Sequence, residues 1–217
     1  MKILITSGGC KVPIDDVRNI GNFSSGRYGS SIAEHFTDKE NVDIIFFHER
    51  GTNHTQYGPV DVELYNNSRI RFIEYKDYYD YLKVKDLIKE EQPDIIISAA
   101  AISDYIVDKT EGKISSDGDE LVIRLRKGEK VIKSFRSLAP NAIIVGFKLL
   151  VSPNSEEVQN AISKVFKAEV DYVVFNDLTE LRKGNQRRVA IGKFDSFYSE
   201  IPEAKDLVEL LIKRVYP

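Results

Sequence analysis

Short apolar runs rich in β-branched residues, several of them continuously apolar, recur along the chain at Ile3–Thr6, Val42–Phe47, Ile70–Tyr75, Asp94–Ala99, Ala142–Phe147 and Tyr172–Phe175. Runs of this length without polar alternation suit strands buried on both faces of a parallel sheet. Between them the apolar spacing becomes helical. Tyr28, Ile32, Ala33 and Phe36 form one stripe. Val158, Ala161, Ile162, Val165 and Phe166 form another, behind an Asn154 N-cap with Glu157 three residues on. Ala204, Leu207, Val208, Leu211 and Val215 form the last, with Pro202 near its first turn. Repeated β-α units of this kind predict one α/β domain over residues 1–217: a Rossmann-like, doubly wound, mostly parallel sheet with helices on both faces.

Two stretches break the rhythm. His48–Asn67 is polar and holds Gly51, Gly58 and Pro59, which predicts a long connection with a short strand at Val60–Leu64. Asp108–Asp119 has two glycines and almost no apolar residues, and is expected to be a flexible lid. After it Leu121, Ile123 and Leu125 alternate with Val122, Arg124 and Arg126, the pattern of a small antiparallel arm.

Composition narrows the function classes. The 217 residues, 42% hydrophobic and 30% charged, are ordinary for a globular α/β domain and exclude disorder. A single cysteine, Cys10, excludes a disulfide framework and fits a reducing compartment, so the chain is expected in the cytoplasm. No Cys/His cluster stands at zinc spacing, and no metal-ligating residues are predicted. Met1-Lys2-Ile3-Leu4-Ile5 reads as the first strand rather than a signal peptide. No apolar run approaches the roughly 18–20 residues that span a bilayer, so no membrane partner is expected. Net charge is −3, from 31 basic and 34 acidic side chains, which gives no general nucleic-acid surface. The charge of a phosphorylated ligand would have to be met locally, by a few cationic side chains and helix N-termini.

Five segments are candidates for chemistry. Thr6-Ser7-Gly8-Gly9 follows the first strand, where glycines let a ligand approach the backbone; a tight turn explains it equally well. It is neither the dinucleotide G-x-G-x-x-G fingerprint nor a Walker A sequence. In Asn22-Phe23-Ser24-Ser25-Gly26-Arg27-Tyr28-Gly29, two hydroxyls, Arg27 and uncapped N–H groups converge on a helix start, a natural anion site. A serine N-cap accounts for one serine, but not for Asn22, the second serine or Gly29. Ser98-Ala99-Ala100-Ala101-Ile102-Ser103-Asp104-Tyr105 ends the fourth strand with small residues that leave room for a flat ring. Alone it reads as a packing corner with a turn aspartate. Lys113 is a glycine-flanked lysine in the polar loop, and matters only if that loop closes over phosphates. Asn160, Lys164 and Lys167 share one helix face, which is usually a solvated face, and Phe147 at a strand end is usually core. His35, His48, His54 and Cys10 have no recognisable partners and are taken as structural.

The order of these pieces is more specific than any one of them. SGG after the first strand is followed by VPIDDVRNIGNFSSGRYG, SAAAISDY, GKI, VGFK and DYVVFND. The series resembles the phosphopantothenate–cysteine ligases of coenzyme A biosynthesis over essentially the whole chain. With no decarboxylase segment ahead of the first strand, it looks like their stand-alone bacterial form. The resemblance implies a two-step reaction with CTP, or ATP as in the eukaryotic enzymes, and Mg²⁺. The carboxylate of 4′-phosphopantothenate attacks the nucleotide α-phosphate, and the amine of L-cysteine then displaces the nucleoside monophosphate. It also implies a homodimer, for which the Leu121–Arg126 arm is a pairing element.

Carried over by position, the resemblance makes Asn22 the residue that handles the acyl-nucleotide and Lys113 the lid lysine tied to catalysis. Ser24, Ser25 and Gly26 match the phosphate-binding turn, and Gly8, Gly9 and Arg27, placed beside it by their own chemistry, are expected to bind phosphate or substrate with them. Ser98, Ala99, Ala100, Asp104, Phe147 and Lys164 would contact the nucleotide, and Asn176-Asp177 match the family's Asn-Asp pair. Three departures stand out: Ser115-Ser116 after the lid lysine, Lys148-Leu149-Leu150 after Phe147, and Ala168 at the second helix-lysine position, with Lys167 beside it. Two other readings remain open. One is an NAD(P)-dependent short-chain oxidoreductase with Glu49 on a ribose, which lacks G-x-G-x-x-G and a Tyr-x-x-x-Lys pair. The other is a nucleotide-binding regulatory module with a weakened site.

Overall fold

The computed structural model describes residues 1–51, 63–65, 68–184, 188–193 and 198–215. In chain order the elements are β1 (Lys2–Ser7), β2 (Lys11–Pro13), β3 (Asn19–Gly21), α1 (Arg27–Thr37), β4 (Asp43–Glu49), β5 (Glu63–Tyr65) and β6 (Ser68–Tyr75). Then come α2 (Tyr78–Tyr81), α3 (Val84–Glu91), β7 (Ile95–Ser98), β8 (Tyr105–Ile106), β9 (Arg126–Lys127), α4 (Phe135–Leu138) and β10 (Ile143–Leu150). The chain ends with α5 (Ser155–Phe166), β11 (Tyr172–Asp177), α6 (Leu178–Arg182), β12 (Arg188–Gly192), β13 (Tyr198–Glu200) and α7 (Ala204–Val215).

The six apolar runs become six parallel strands, in the spatial order β11-β10-β7-β1-β4-β6. Counted along the chain among themselves, that order is the 3-2-1-4-5-6 of a doubly wound dinucleotide fold. Its direction reverses between β1 and β7, so the crevice above their carboxyl ends is the topological switch point. Antiparallel strands complete the nine-stranded sheet, β5 at one edge and β12-β13 at the other.

Alternate residues of each parallel strand feed opposite cores. Ile3 and Ile5 point to a cluster closed by Ile32, Ala33 and Phe36 of α1 and Leu207, Val208 and Leu211 of α7. Leu4 points the other way, to a cluster closed by Val84 and Ile88 of α3, Phe135 of α4 and Ile162 of α5. Each such fully buried aliphatic side chain contributes roughly 1.5–3 kcal/mol. A third, smaller cluster of Cys10, Val12, Ile14, Tyr78, Ile106 and Val107 lies under the β2–β3 hairpin.

The predicted cap of α5 is present as a full capping box, with Asn154 and Glu157 side chains each accepting the other's backbone N–H at 2.9 Å. The predicted small antiparallel arm is present but shorter than the alternation at Leu121–Arg126 suggests. Only Arg126–Lys127 find a partner strand, Tyr105–Ile106, and residues 121–125 form no strand. Ile123 settles against the third cluster while Leu121, Val122 and Leu125 are 49%, 70% and 45% exposed, so the alternation has no sheet to bury against. Of the strand expected at Val60–Leu64, residues 60–62 lie outside the described ones, and Glu63–Tyr65 pair with β6. No helix among the described residues is long and apolar enough to cross a membrane.

Candidate active site at the switch point

The carboxyl ends of β1 and β7 carry Gly8-Gly9 and Ala99-Ala100, and hydrogen bonds lock them together. Ala99 N–H donates to the Thr6 carbonyl at 3.1 Å, Ala100 N–H to Thr6 Oγ1 at 3.3 Å, and Ala101 N–H to the Gly8 carbonyl at 2.9 Å. Gly8 has φ 91°, a left-handed conformation that glycine adopts without strain. Gly9 faces the anion turn: a Cβ there would stand 2.9 Å from the Asn22 carbonyl oxygen. From below, the buried Tyr75 phenol shares its proton between the carbonyls of Ser7 and Gly9, at 2.9 and 2.8 Å.

The Asn22–Gly29 turn is bound to the same two strand ends. Asn22 Nδ2 donates to the carbonyls of Ala101 and Ile102 at 3.2 and 3.1 Å. Ser7 Oγ donates to the Gly26 carbonyl at 3.0 Å. The residue at the start of α1 is Gly26, at φ 73°, rather than a serine, and no side chain caps the helix. Ser24 Oγ and Ser25 Oγ lie 3.4 Å from the N–H groups of Gly26 and Arg27, and both serines are exposed, as is Arg27. With no acidic residue in its first turn, the positive end of α1 is open to an anion.

Phe147 joins this group through Tyr28, ring centroids 6.0 Å apart at 72°. Asn176 lies on the same sheet face, paired in register with Leu149 next to Phe147. It is buried, and its Oδ1 meets no hydrogen-bond donor among the described residues. Asp177 caps α6 by accepting Thr179 N–H at 2.9 Å, and also accepts Ser152 N–H at 3.0 Å.

The remaining predicted residues stand further out. Asp104 is exposed and paired with Lys130 at 3.0 Å. Lys113 is exposed, with its backbone neighbours held by the 14–18 turn rather than by the strand ends. Lys164 is exposed on α5, which covers the sheet face opposite to α1, and Ala168 is buried in that face's core. The structure therefore unites Gly8, Gly9, Asn22, Ser24, Gly26, Ser98, Ala99, Ala100 and Phe147, and does not bring Lys164 to them.

Residues 1–208 match the family model of the DNA/pantothenate metabolism flavoprotein C-terminal domain. The chain belongs to this family. A coenzyme A biosynthesis bifunctional protein CoaBC from Methanocaldococcus jannaschii is 33% identical over 180 residues, 82% of this chain and 41% of that protein. Phosphopantothenate–cysteine ligase 1 of Arabidopsis thaliana is 29% identical over 260 residues, 98% of this chain and 81% of that one. The chain spans about half the length of the CoaBC proteins it matches. The crystal structure of the DNA/pantothenate metabolism flavoprotein from Streptococcus pneumoniae has the same fold, with a TM-score of 0.80 at 24% identity. That likeness covers 100% of this chain and 98% of that one.

In this member of the flavoprotein C-terminal domain family, Glu49 is not presented to a ribose. Its buried carboxylate is paired with Lys11 at 2.5 Å, which leaves the oxidoreductase reading without its acid. Cys10 packs in the third cluster, where burial pushes its thiol up to about 11, so it is not a thiolate nucleophile. Sequence reasoning missed Tyr75, Asp15 and Asp16. Tyr75 sits at the end of an ordinary apolar run, and the two aspartates, though they stand in the VPIDDVR stretch, look like solvated turn acids, so no local pattern assigns any of the three a role.

Proposed function

We propose that the chain joins 4′-phosphopantothenate to L-cysteine through an acyl-nucleotide, with CTP as co-substrate. The observation that carries this reading is the hydrogen-bonded union of three segments at the switch point: the glycine turn, the Asn22–Gly29 turn and the Ser98–Asp104 strand end. The family membership and the ligase from Arabidopsis thaliana point the same way.

In the first step a carboxylate oxygen of 4′-phosphopantothenate attacks the α-phosphorus and pyrophosphate leaves. In the second the cysteine amine attacks the acyl carbon, loses a proton, and the nucleoside monophosphate leaves with the former carboxylate oxygen. Both steps need orientation and charge neutralisation more than a nucleophilic side chain. Asn22, its amide already fixed against Ala101 and Ile102, orients the activated carboxylate. Ser24, Ser25, Gly26 and Arg27 hold phosphate at the open end of α1, and Gly8 and Gly9 admit it to the backbone. Ser98, Ala99 and Ala100 leave space for the nucleotide, with Phe147 against it. Asp104 exchanges Lys130 for the ribose or a cation, and Lys113 follows charge at the transferring phosphorus. Lys164 enters through the resemblance alone.

Among the described residues no three His, Cys, Asp or Glu side chains form a metal-holding group. Mg²⁺ in this reading arrives on the nucleotide phosphates, as is usual for that ion. The buried Asn176 Oδ1 is an acceptor suited to an exocyclic amino group, which cytosine and adenine both carry. A homodimer enters through the resemblance alone, and the single buried cysteine is consistent with a cytoplasmic setting.

Pyrophosphate release tested with 4′-phosphopantothenate and each of CTP, ATP, UTP and GTP checks the reading. Release is expected with CTP or ATP and not with UTP. Silence with all four nucleotides would refute it.

A further inference from the structure

Lys113 has an exposed side chain in a polar segment, yet the peptide groups on both sides of it are fixed. Gly112 N–H donates to Asp16 Oδ2 at 2.9 Å, and the Gly112 carbonyl accepts Asp16 N–H at 2.9 Å. On the other side Ile114 N–H donates to Asp15 Oδ2 at 3.1 Å, and the Ile114 carbonyl accepts Arg18 Nη1 at 3.2 Å. Thr110 N–H to the Ile14 carbonyl, at 2.8 Å, and the Lys109–Asp16 ion pair, at 2.5 Å, extend the attachment.

Asp15 is central to it. Its side chain has no solvent exposure and accepts four donors: the N–H groups of Val17, Arg18 and Ile114, and Arg18 Nη1 at 2.6 Å. A buried carboxylate is tolerated only when donors meet its lone pairs, and one of these donors is the lid itself. A lysine that needed only solvation would require none of this. The turn that grips the lid joins β2 to β3, and Asn22 directly follows β3. One hairpin therefore sets the positions of both Asn22 and Lys113.

We propose that Asp15 and Asp16 are positioning residues that aim Lys113 by clamping the peptides of Gly112 and Ile114. This rests on the ligase reading, in which Lys113 acts at the transferring phosphorus. A lysine with a free backbone would reach the same phosphate in many geometries, and a displacement of about 1 Å is enough to cost up to a hundredfold in rate.

The test uses the full chain with Asp15→Asn, Asp16→Asn and Lys113→Gln, singly and combined. An amide cannot accept on both its atoms, so Asp15→Asn turns an NH₂ toward two of four donors. Hydrogen exchange of the Gly112 and Ile114 amides is expected to quicken about tenfold or more in the aspartate variants, with β1 and α1 unchanged. The kcat should fall about tenfold with the KM for nucleotide within about twofold, and should fall no further when Asp15→Asn is added to Lys113→Gln. Asp16, exposed and holding Gly112, carries the same test if Asp15→Asn does not fold. Unchanged exchange at Gly112 and Ile114, or losses that multiply in the double variant, would overturn the proposal alone. Full turnover in Lys113→Gln would overturn it together with the role of the lysine.

Discussion

Gly29 lies against Ser7 with no room for a side chain: a Cβ on the glycine would stand 2.8 Å from the Ser7 Cβ. The same serine donates to the Gly26 carbonyl, so β1 and the first turn of α1 are seated directly on each other. Gly29→Ala is expected to destabilise the chain by about 1–3 kcal/mol through overpacking. It should also displace the anion turn and weaken nucleotide binding. Thermal unfolding and calorimetric titration read the two effects, and wild-type values in both would mean that the contact is slack.

Tyr75 supports the glycine turn from inside the core. Burial, with Tyr81, Cys10 and Glu49 nearby, pushes its phenol well above the ordinary range, so it stays a donor to Ser7 and Gly9. Tyr75→Phe keeps the ring packing against Phe47 and Tyr81 but strips two buried carbonyls of their donor. A loss of about 1–3 kcal/mol in denaturant unfolding is expected. A variant as stable as wild type would show that water or backbone replaces the phenol.

Asn22→Ala removes the amide that ties the anion turn to Ala101 and Ile102. Nucleotide binding should survive, because the serines, Gly26 and the α1 terminus remain, while turnover falls through poor handling of the intermediate. Equal turnover in variant and wild type would refute the role given to Asn22.

The lid attachment should depend on acid. Burial raises the Asp15 pKa, but hydrogen bonds from Val17, Ile114 and Arg18 more than offset it and bring it down to about 2. Asp16 is lowered in the same direction, chiefly by Lys109 and Gly112. A carboxylate depressed in the folded state adds stability that is complete above its unfolded value, about 4, and lost as pH falls through the folded value. Protection of the Ile114 amide, corrected for intrinsic exchange, should therefore decline between about pH 4 and pH 2 in the wild type. Asp15→Asn should abolish that decline, and a pH-independent wild-type profile would contradict the ionised hub.

Where burial was periodic, the sequence was legible. All six parallel strands, α1, α5 with its Asn154 cap and α7 follow from apolar spacing, and so does the crevice at the switch point. Two kinds of feature were not legible. Edge elements such as β12 and β13 depend on a neighbouring strand, and residues 121–125 had the alternation without the neighbour. Contacts between Asp15 and Ile114, 99 positions apart, leave no local trace. The polar composition of the lid described its exposed side chains correctly, but not its anchored backbone. The anion turn was recognised as a helix start, whereas the Gly26 conformation that leaves α1 uncapped appears only in three dimensions.

An acyl-nucleotide formed at the β1–β7 crevice would carry an oxygen from the acid to the nucleotide, and isotope labelling follows that transfer. 4′-Phosphopantothenate labelled with ¹⁸O in its carboxylate is incubated with the chain, CTP, Mg²⁺ and L-cysteine, and the products are weighed by mass spectrometry. One labelled oxygen is expected in the cytidine monophosphate and one retained in the new amide. Unlabelled monophosphate, or no amide product, would contradict it.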